Sequence, residues 1–272
     1  MNVLFIGGGN MGRALVGGLL AQGRTPGTIA VVEVDPAASI RLQTEFGIRA
    51  EPAIGGENVA RAGIIVLAIK PQQLRQAALA LAPHLGAQLV ISIAAGIRIV
   101  DLSRWLGGYS RIVRVMPNTP ALIRRGIAGL FAHPSLEAIE RKQAEEILDA
   151  VGETLWCERE EQLDAITAIS GSGPAYVFLF LEALIEAGRD LGFSPEQARR
   201  LAYATVGGAT ALGEQSAAAP AALRAQVTSK GGTTEAAVAV LEQRAVKAAL
   251  VAAIRAADAR AKELGDLLGK DG

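Results

Sequence analysis

Cysteine is almost missing: the chain holds one, Cys157, so neither an intrachain disulfide framework nor a multi-cysteine zinc site can be built. The two histidines, His84 and His133, stand far apart without ligand spacing, which argues against a metal enzyme. Aromatics amount to 4% of residues, too few for a base-stacking surface. Charge of neither sign is in excess: 27 Lys and Arg offset 27 Asp and Glu, leaving no basic surplus to neutralise a phosphate backbone. Nucleic acid is therefore not an expected partner. Apolar runs are short and interrupted by Gly or charge, below the roughly 20 residues of a membrane-spanning helix. Met1-Asn2 leads directly into Val3-Leu4-Phe5-Ile6 without a basic, cleavable leader pattern. No membrane association is expected, and a cytoplasmic protein is the simplest reading. What is present is core material: 50% of the 272 residues are hydrophobic and 20% charged, which excludes disorder and suits one large domain or two ordinary ones.

Strand-like apolar runs fall at 2–6, 28–34, 64–69, 88–93, 111–115, 126–131 and 153–157. Several are nearly continuous hydrophobics, as strands covered on both faces require. Helical patterns lie between them at 11–22, 37–46, 72–81 and 135–151. This alternation predicts an α/β architecture, a doubly wound and mostly parallel sheet. After Cys157 strand signals stop and helix follows helix: 163–169, a break at Gly171-Ser172-Gly173-Pro174, then 175–191, 197–213, 218–226, 234–242 and 245–264. Ser194-Pro195-Glu196-Gln197 marks a helix start, with a capping Ser, Pro in the first turn and Gln three residues on. A domain boundary is expected near Glu160, giving residues 1–160 as one domain and 161–272 as an all-α second domain. The broad apolar faces at 177–185 and 201–212 suit packing against a partner subunit.

The loop Gly7-Gly8-Gly9-Asn10-Met11-Gly12 follows the first strand and opens a helix, with Gly7, Gly9 and Gly12 in G-x-G-x-x-G spacing. In that context the glycines allow a tight turn, backbone approach to a pyrophosphate and close helix–strand packing. The phosphates would rest at the helix N-terminus, on free N–H groups and the positive end of the dipole. The second strand ends in Glu33-Val34-Asp35-Pro36, where a carboxylate can accept hydrogen bonds from a ribose 2′-hydroxyl. Asp35 is the first candidate and Glu33 the second, a lean towards NAD that Arg41 or Lys70 would oppose.

Alcohol oxidation needs a group to take the hydroxyl proton. Hydroxy-acid dehydrogenases of similar layout carry a lysine just after a glycine-rich segment opening the helical domain, and 171–189 contains none. His84 and His133 read as surface or capping residues and Cys157 as an inert thiol. Hydride delivery to an already protonated C=N bond needs least from such a chain. The stretch Val227-Thr228-Ser229-Lys230-Gly231-Gly232-Thr233-Thr234-Glu235 supplies a second glycine turn at a helix start. On spacing alone it is either a Thr-capped helix or a carboxylate nest.

The chain resembles the pyrroline-5-carboxylate reductases. The resemblance rests on Phe5–Met11, Leu67-Ala68-Ile69-Lys70-Pro71-Gln72, Ser92-Ile93-Ala94-Ala95-Gly96, Arg114-Val115-Met116-Pro117-Asn118-Thr119-Pro120, Ala168–Tyr176 and the 227–242 segment. It implies a Rossmann-like N-terminal domain with a helical dimerisation domain, and hydride transfer from NADPH, with NADH possible, to 1-pyrroline-5-carboxylate. By resemblance Gly7, Gly9, Asn10, Met11 and Gly12 cradle the pyrophosphate, while Ala68, Lys70, Pro71, Ala94, Ala95, Gly96, Met116, Pro117 and Asn118 line the way to the nicotinamide. Ser229, Gly231, Gly232 and Thr233 would hold the substrate carboxylate, and Thr234 would position the ring nitrogen as the catalytic residue. Lys230 stands where the family usually has proline, and Gly55 where an asparagine commonly meets the adenosine ribose. The resemblance also implies dimers, commonly arranged as decamers. A related imine or hydroxy-acid reductase and a nucleotide-sensing protein without catalysis are the alternative readings.

Overall fold

A computed structural model of the chain describes residues 1–270. The continuous hydrophobic runs form β1 (Val3–Ile6), β2 (Ile29–Val32), β4 (Ile64–Leu67) and β5 (Leu89–Ser92), every residue of which is buried. Three further strands follow, β6 (Ile112–Met116), β7 (Gly126–Ala132) and β8 (Gly152–Trp156), and a short β3 (Arg49–Glu51) joins at one edge. They assemble as one sheet in the order β3-β2-β1-β4-β5-β6-β7-β8. All neighbours run parallel except β6 and β7.

Alternate strand residues face opposite sides, so one strand feeds two cores. Val3, Phe5, Val31, Val66 and Ile91 enter one with Leu15, Val16 and Leu19 of α1 (Asn10–Ala21). Leu4, Ile6, Val32, Ile65 and Leu67 enter the other with Leu74, Ala78 and Leu81 of α4 (Pro71–Leu81). Each such Leu or Ile side chain contributes about 1.5–3 kcal/mol by leaving water. Helices α2 (Pro36–Phe46), α3 (Gly56–Ala60), α5 (Ile99–Trp105) and α6 (Ala138–Leu148) complete the layers. The short β3, α3 and α5 are additions to the elements read from the sequence.

Two compact units divide the chain, one of Met1–Ser172 with the described residues from Ala257 on, the other of Gly173–Ala256. That division differs from a break near Glu160, for two physical reasons. First, the helix does not stop at Gly171–Pro174. Helix α7 (Gln162–Ile166) passes through a π turn at Thr167–Gly171 into α8 (Gly173–Asp190), with Pro174 near the start of α8 where its missing N–H costs nothing. Second, α12 (Val246–Leu268) begins in the second unit and ends in the first.

The π turn also corrects the expectation of short apolar runs. Gln162–Asp190 is, by length and composition, apolar enough to cross a membrane: an 18-residue stretch within it has a mean hydropathy of 1.5, yet only 11% of that stretch is buried. Within the second unit α8 and α9 (Pro195–Glu214) form an antiparallel pair close enough that a Cβ on Gly188 would lie 3.0 Å from the Ala198 Cβ. Ser194 and Gln197 make the expected reciprocal cap at 3.2 and 3.0 Å. Helices α10 (Pro220–Gln226) and α11 (Thr233–Gln243) follow, neither with a buried residue. Phe178, Leu179 and Phe180 are more than half exposed in the single chain, as is Leu212 on α9.

Candidate active site

The sheet order reverses direction at β1, whose Ile6 pairs with Val32 on one side and Leu67 on the other. In parallel sheets that switch point opens a crevice beyond the carboxyl ends of the strands, where ligands bind. The glycine loop springs from it. Gly7 has φ +101, a conformation glycine adopts without strain, and donates its N–H to Val32 O at 2.9 Å. A Cβ there would lie 2.6 Å from the Ala68 carbonyl oxygen. A Cβ on Gly12 would lie 2.6 Å from the Gly7 oxygen, so α1 meets the strand end backbone to backbone. At Gly9 the same position opens onto free space, with nothing within 4 Å. Gly7 thus makes the turn, Gly12 allows the close packing, and the open space at Gly9 leaves room for a ligand to approach. Gly9 is the N-cap of α1, no described side chain caps it, and the first turn carries no acidic residue. The orphan N–H groups there suit an anionic ligand, and the cradle fits the pyrophosphate of a dinucleotide.

Sheet topology brings the other predicted cofactor segments to the same edge. Ala68, Lys70 and Pro71 follow β4, with Ala68 N–H donating to Ile6 O at 2.8 Å and Pro71 opening α4. Ala94, Ala95 and Gly96 follow β5; Pro117 and Asn118 follow β6. The strands β1, β4, β5 and β6 are consecutive neighbours, so segments widely spaced in sequence become adjacent loops. Asn118 is buried, and both ends of its amide are engaged. Its Nδ2 donates to Ser170 Oγ at 3.0 Å, and its Oδ1 accepts the Ile127 N–H at 3.0 Å. It therefore braces the loop against the π turn and β7. Met116 Cε lies 2.7 Å from where a Cβ on Gly171 would stand, so the glycine makes room for the methionine.

At the end of β2 the two carboxylates divide their work. Glu33 accepts the Gly8 N–H at 2.9 Å and the Asp35 N–H at 3.0 Å, which places it against the glycine loop. Asp35 caps α2 instead, its two oxygens accepting from Ala37 N at 3.0 Å and Ala38 N at 3.3 Å. Arg41 stands 3.9 Å from the same carboxylate. Both carboxylates thus accept backbone N–H groups through both oxygens, Asp35 at the start of α2 and Glu33 against the glycine loop, whereas the sequence reading ranks Asp35 ahead of Glu33 for the ribose.

The remaining reactive side chains lie elsewhere. His133 pairs with Ser135 at 2.8 Å and its backbone N–H reaches Ile112 O, at the amino end of β6 and the far side of the sheet from the crevice. His84 is exposed beyond α4. Burial pushes the Cys157 thiol up from its ordinary value, only partly opposed by the Arg114 cation, so it is the reverse of an activated nucleophile.

In the second unit the turn at 229–234 leads into α11, with Gly232 as N-cap and Thr233 and Thr234 as the first two helical residues. Two of its amides have internal partners. Gly231 N–H donates to Glu235 Oε2 at 2.7 Å and Gly232 N–H to Ser229 O at 3.0 Å. A side-chain carboxylate thus already rests on this turn. Glu235 occupies the N3 position, where capping-box acids reach back, and that signal was available in the sequence.

The fold and the glycine crevice define the first unit as a dinucleotide-binding oxidoreductase domain of the Rossmann kind. Comparison with known proteins goes further. Residues 160–264 match the family model for pyrroline-5-carboxylate reductase dimerisation, and residues 2–96 match that for NADP oxidoreductase, coenzyme F420-dependent. A pyrroline-5-carboxylate reductase of Pseudomonas aeruginosa is 44% identical over 98% of both chains. The solved structure of one from Coxiella burnetii superposes with a TM-score of 0.90 at 41% identity, covering 97% of this chain and 98% of that one. One from Plasmodium falciparum, described with NADP bound, gives 0.88 at 29% identity, with coverage of 97% and 98%. The chain belongs to the pyrroline-5-carboxylate reductase family.

Proposed function

We propose that the chain reduces 1-pyrroline-5-carboxylate to L-proline, the last step of proline biosynthesis, with NADPH as donor and NADH as an alternative. The observation that carries the reading is the near full-length relationship to reductases of that name, joined to a glycine cradle of the right form. When bound, the reduced nicotinamide supplies a hydride, which adds to C5 of the substrate's C=N bond while the ring nitrogen keeps one proton.

The chain's own part is binding and orientation. Backbone N–H groups of Gly9, Asn10, Met11 and Gly12 hold the pyrophosphate, with Gly7 making the turn. Ala68, Lys70, Pro71, Ala94, Ala95, Gly96, Pro117 and Asn118 border the path to the nicotinamide. Glu33, already at the glycine loop, takes the ribose 2′-hydroxyl in this reading when NADH is the donor, and Asp35 fixes the helix start beside it. Ser229, Gly231, Gly232 and Thr233 take the substrate carboxylate, which replaces Glu235 on the Gly231 N–H. The Thr234 hydroxyl orients the ring nitrogen; it is too weak an acid to be a proton source, so solvent supplies the proton.

Residues 1–160 serve the dinucleotide in this scheme, and 161–272 serve pairing and substrate. The exposed apolar face of α8 and α9 meets a second copy rather than lipid, and the enzyme works in the cytoplasm as a homodimer or as a decamer of five dimers.

The decisive experiment is steady-state reduction of pyrroline-5-carboxylate with NADPH and with NADH, run beside oxidation of small 2-hydroxy acids. Turnover of the imine alone is expected. Hydroxy-acid oxidation without imine reduction, or cofactor binding without any turnover, would replace this reading with one of its rivals. Mass measurement in solution separates dimer from decamer.

A further inference from the structure

We propose that the carboxyl-terminal end of α12 is a positioning element for the Ala94–Gly96 turn, an inference that rests on the reading of that turn as part of the cofactor site. Gly96 has φ +81, and its carbonyl oxygen would lie 3.1 Å from a Cβ on Gly265. In the other direction a Cβ on Gly96 would stand 3.3 Å from Leu268 Cδ1 and 3.6 Å from the Gly265 nitrogen. At Gly265 the helix therefore meets the turn's own backbone, while the Leu268 and Arg98 side chains pack beside that contact. Gly265 is one of only two buried residues that α12 possesses, Ala261 being the other.

Polar contacts fasten the same end. Asp266 pairs with Arg98, two residues beyond the turn, at 2.8 Å. Arg104 donates to the Gly269 carbonyl at 2.8 Å, satisfying an acceptor that a helix end otherwise leaves without an intrahelical partner. Leu268 packs against the core that contains Ala94, Ile97 and Ile99. From another element Glu160 accepts the Ile99 N–H at 2.7 Å, so the segment leaving the turn is gripped by two elements.

Two facts give the clamp functional weight. The turn lies on the crevice edge, where displacement of about 1 Å in a binding group is enough to lower activity by up to about a hundredfold. And α12 is one continuous helix of 23 residues that starts within the helical unit, so the chain that builds the pairing domain also ends on the cofactor turn. The matched dimerisation block stops at residue 264, immediately before Gly265 and Asp266.

The test measures NADPH Kd by fluorescence, without substrate, on full-length variants whose circular dichroism and solution mass match the parent. Gly265→Ala should weaken NADPH about threefold and Gly265→Leu about tenfold or more, with the KM for pyrroline-5-carboxylate changed less than twofold. Asp266→Ala should give a smaller effect of the same sign, because its ion pair is half-exposed, and the exchange Arg98→Asp with Asp266→Arg should restore most of it. A merely structural role would lower melting temperature and active fraction while leaving NADPH Kd on the folded protein unmoved. Ala95→Leu, within the turn, separates the two levels. If it weakens NADPH and the Gly265 variants do not, the clamp is refuted and the turn assignment stands; if neither weakens NADPH, both fall. Weakening by Gly265→Leu without any by Ala95→Leu also overturns the proposal, since the effect would then bypass the turn. Should Gly265→Leu fail to fold, Gly265→Ala and Asp266→Ala decide.

Discussion

Arg114 offers the sharpest quantitative test of how the first unit is held together. Its guanidinium, on β6, is 4% exposed and reaches Glu160 Oε1 at 3.1 Å and Asp164 Oδ1 at 3.2 Å. Asp164 is as deeply buried as the arginine, whereas the Glu160 side chain retains 18% exposure and accepts a second hydrogen bond from Ile99 N. Arg114→Met keeps roughly the aliphatic stem and removes the guanidinium, stranding one fully buried carboxylate and one that can turn towards water. Breaking a buried pair costs about 3–5 kcal/mol, and because only Asp164 is wholly trapped the lower end, about 3 kcal/mol, is expected. For a unit of this size that corresponds to a drop in Tm of roughly 6–12 °C. Urea titration followed by tryptophan fluorescence reads it directly, since Trp105 and Trp156 both lie in the first unit. Protein concentration must be held fixed, because pairing adds a mass-action contribution. The cost should come from the stranded charge rather than from lost packing. Arg114→Met with Asp164→Asn should therefore recover at least half of it. A single-variant cost under about 1 kcal/mol, or a double variant less stable than the single, would refute the argument.

Two further outcomes concern the chemistry. Thr234→Ala should lower kcat/KM for pyrroline-5-carboxylate about tenfold, the equivalent of one hydrogen bond of about 1.4 kcal/mol, with NADPH Kd unaltered; unchanged kinetics would remove Thr234 from the reaction. Glu33→Ala should weaken NADH relative to NADPH and so raise the NADPH-over-NADH ratio several-fold. Asp35→Ala should instead cost about 1 kcal/mol of stability through loss of the α2 cap. The opposite pattern, a cofactor shift from Asp35→Ala alone, would return the ribose contact to Asp35.

Much of this site was legible because its local signals and the fold agree. A glycine loop between a buried strand and a helix admits few geometries, and fully apolar four-residue strands such as Ile64–Leu67 belong in the middle of a covered sheet. Short elements were not legible: Arg49–Glu51 has no apolar run and Ile99–Trp105 spans barely two turns, so neither carries a periodic signal. The capping duty of Asp35 was also readable, since Asp followed by Pro is an N-cap followed by a first-turn residue. The continuity through Gly171–Pro174 was hidden because a glycine–proline cluster ordinarily ends a helix, and the π turn that carries the chain across has no composition of its own. Nor does periodicity say where a helix docks, which is why the return of α12 to the first unit emerges only in three dimensions.

That return also explains how so apolar a chain distributes its hydrophobic half. The first unit spends its share on two cores, one on each face of the sheet. Of Gly173–Ala256, by contrast, only Leu181, Ala198 and Ala202 are buried hydrophobics, while large apolar side chains stand exposed along α8, α9 and α11. Fixing the backbone costs about 1–2 kcal/mol per residue, and three buried side chains, two of them alanine, cannot offset that over so many residues. Burial against a surface outside the single chain would supply what is missing, and the family's dimerisation block, residues 160–264, covers the whole of this unit. A first unit with a complete core beside a second without one is the pattern expected where pairing of copies completes the second.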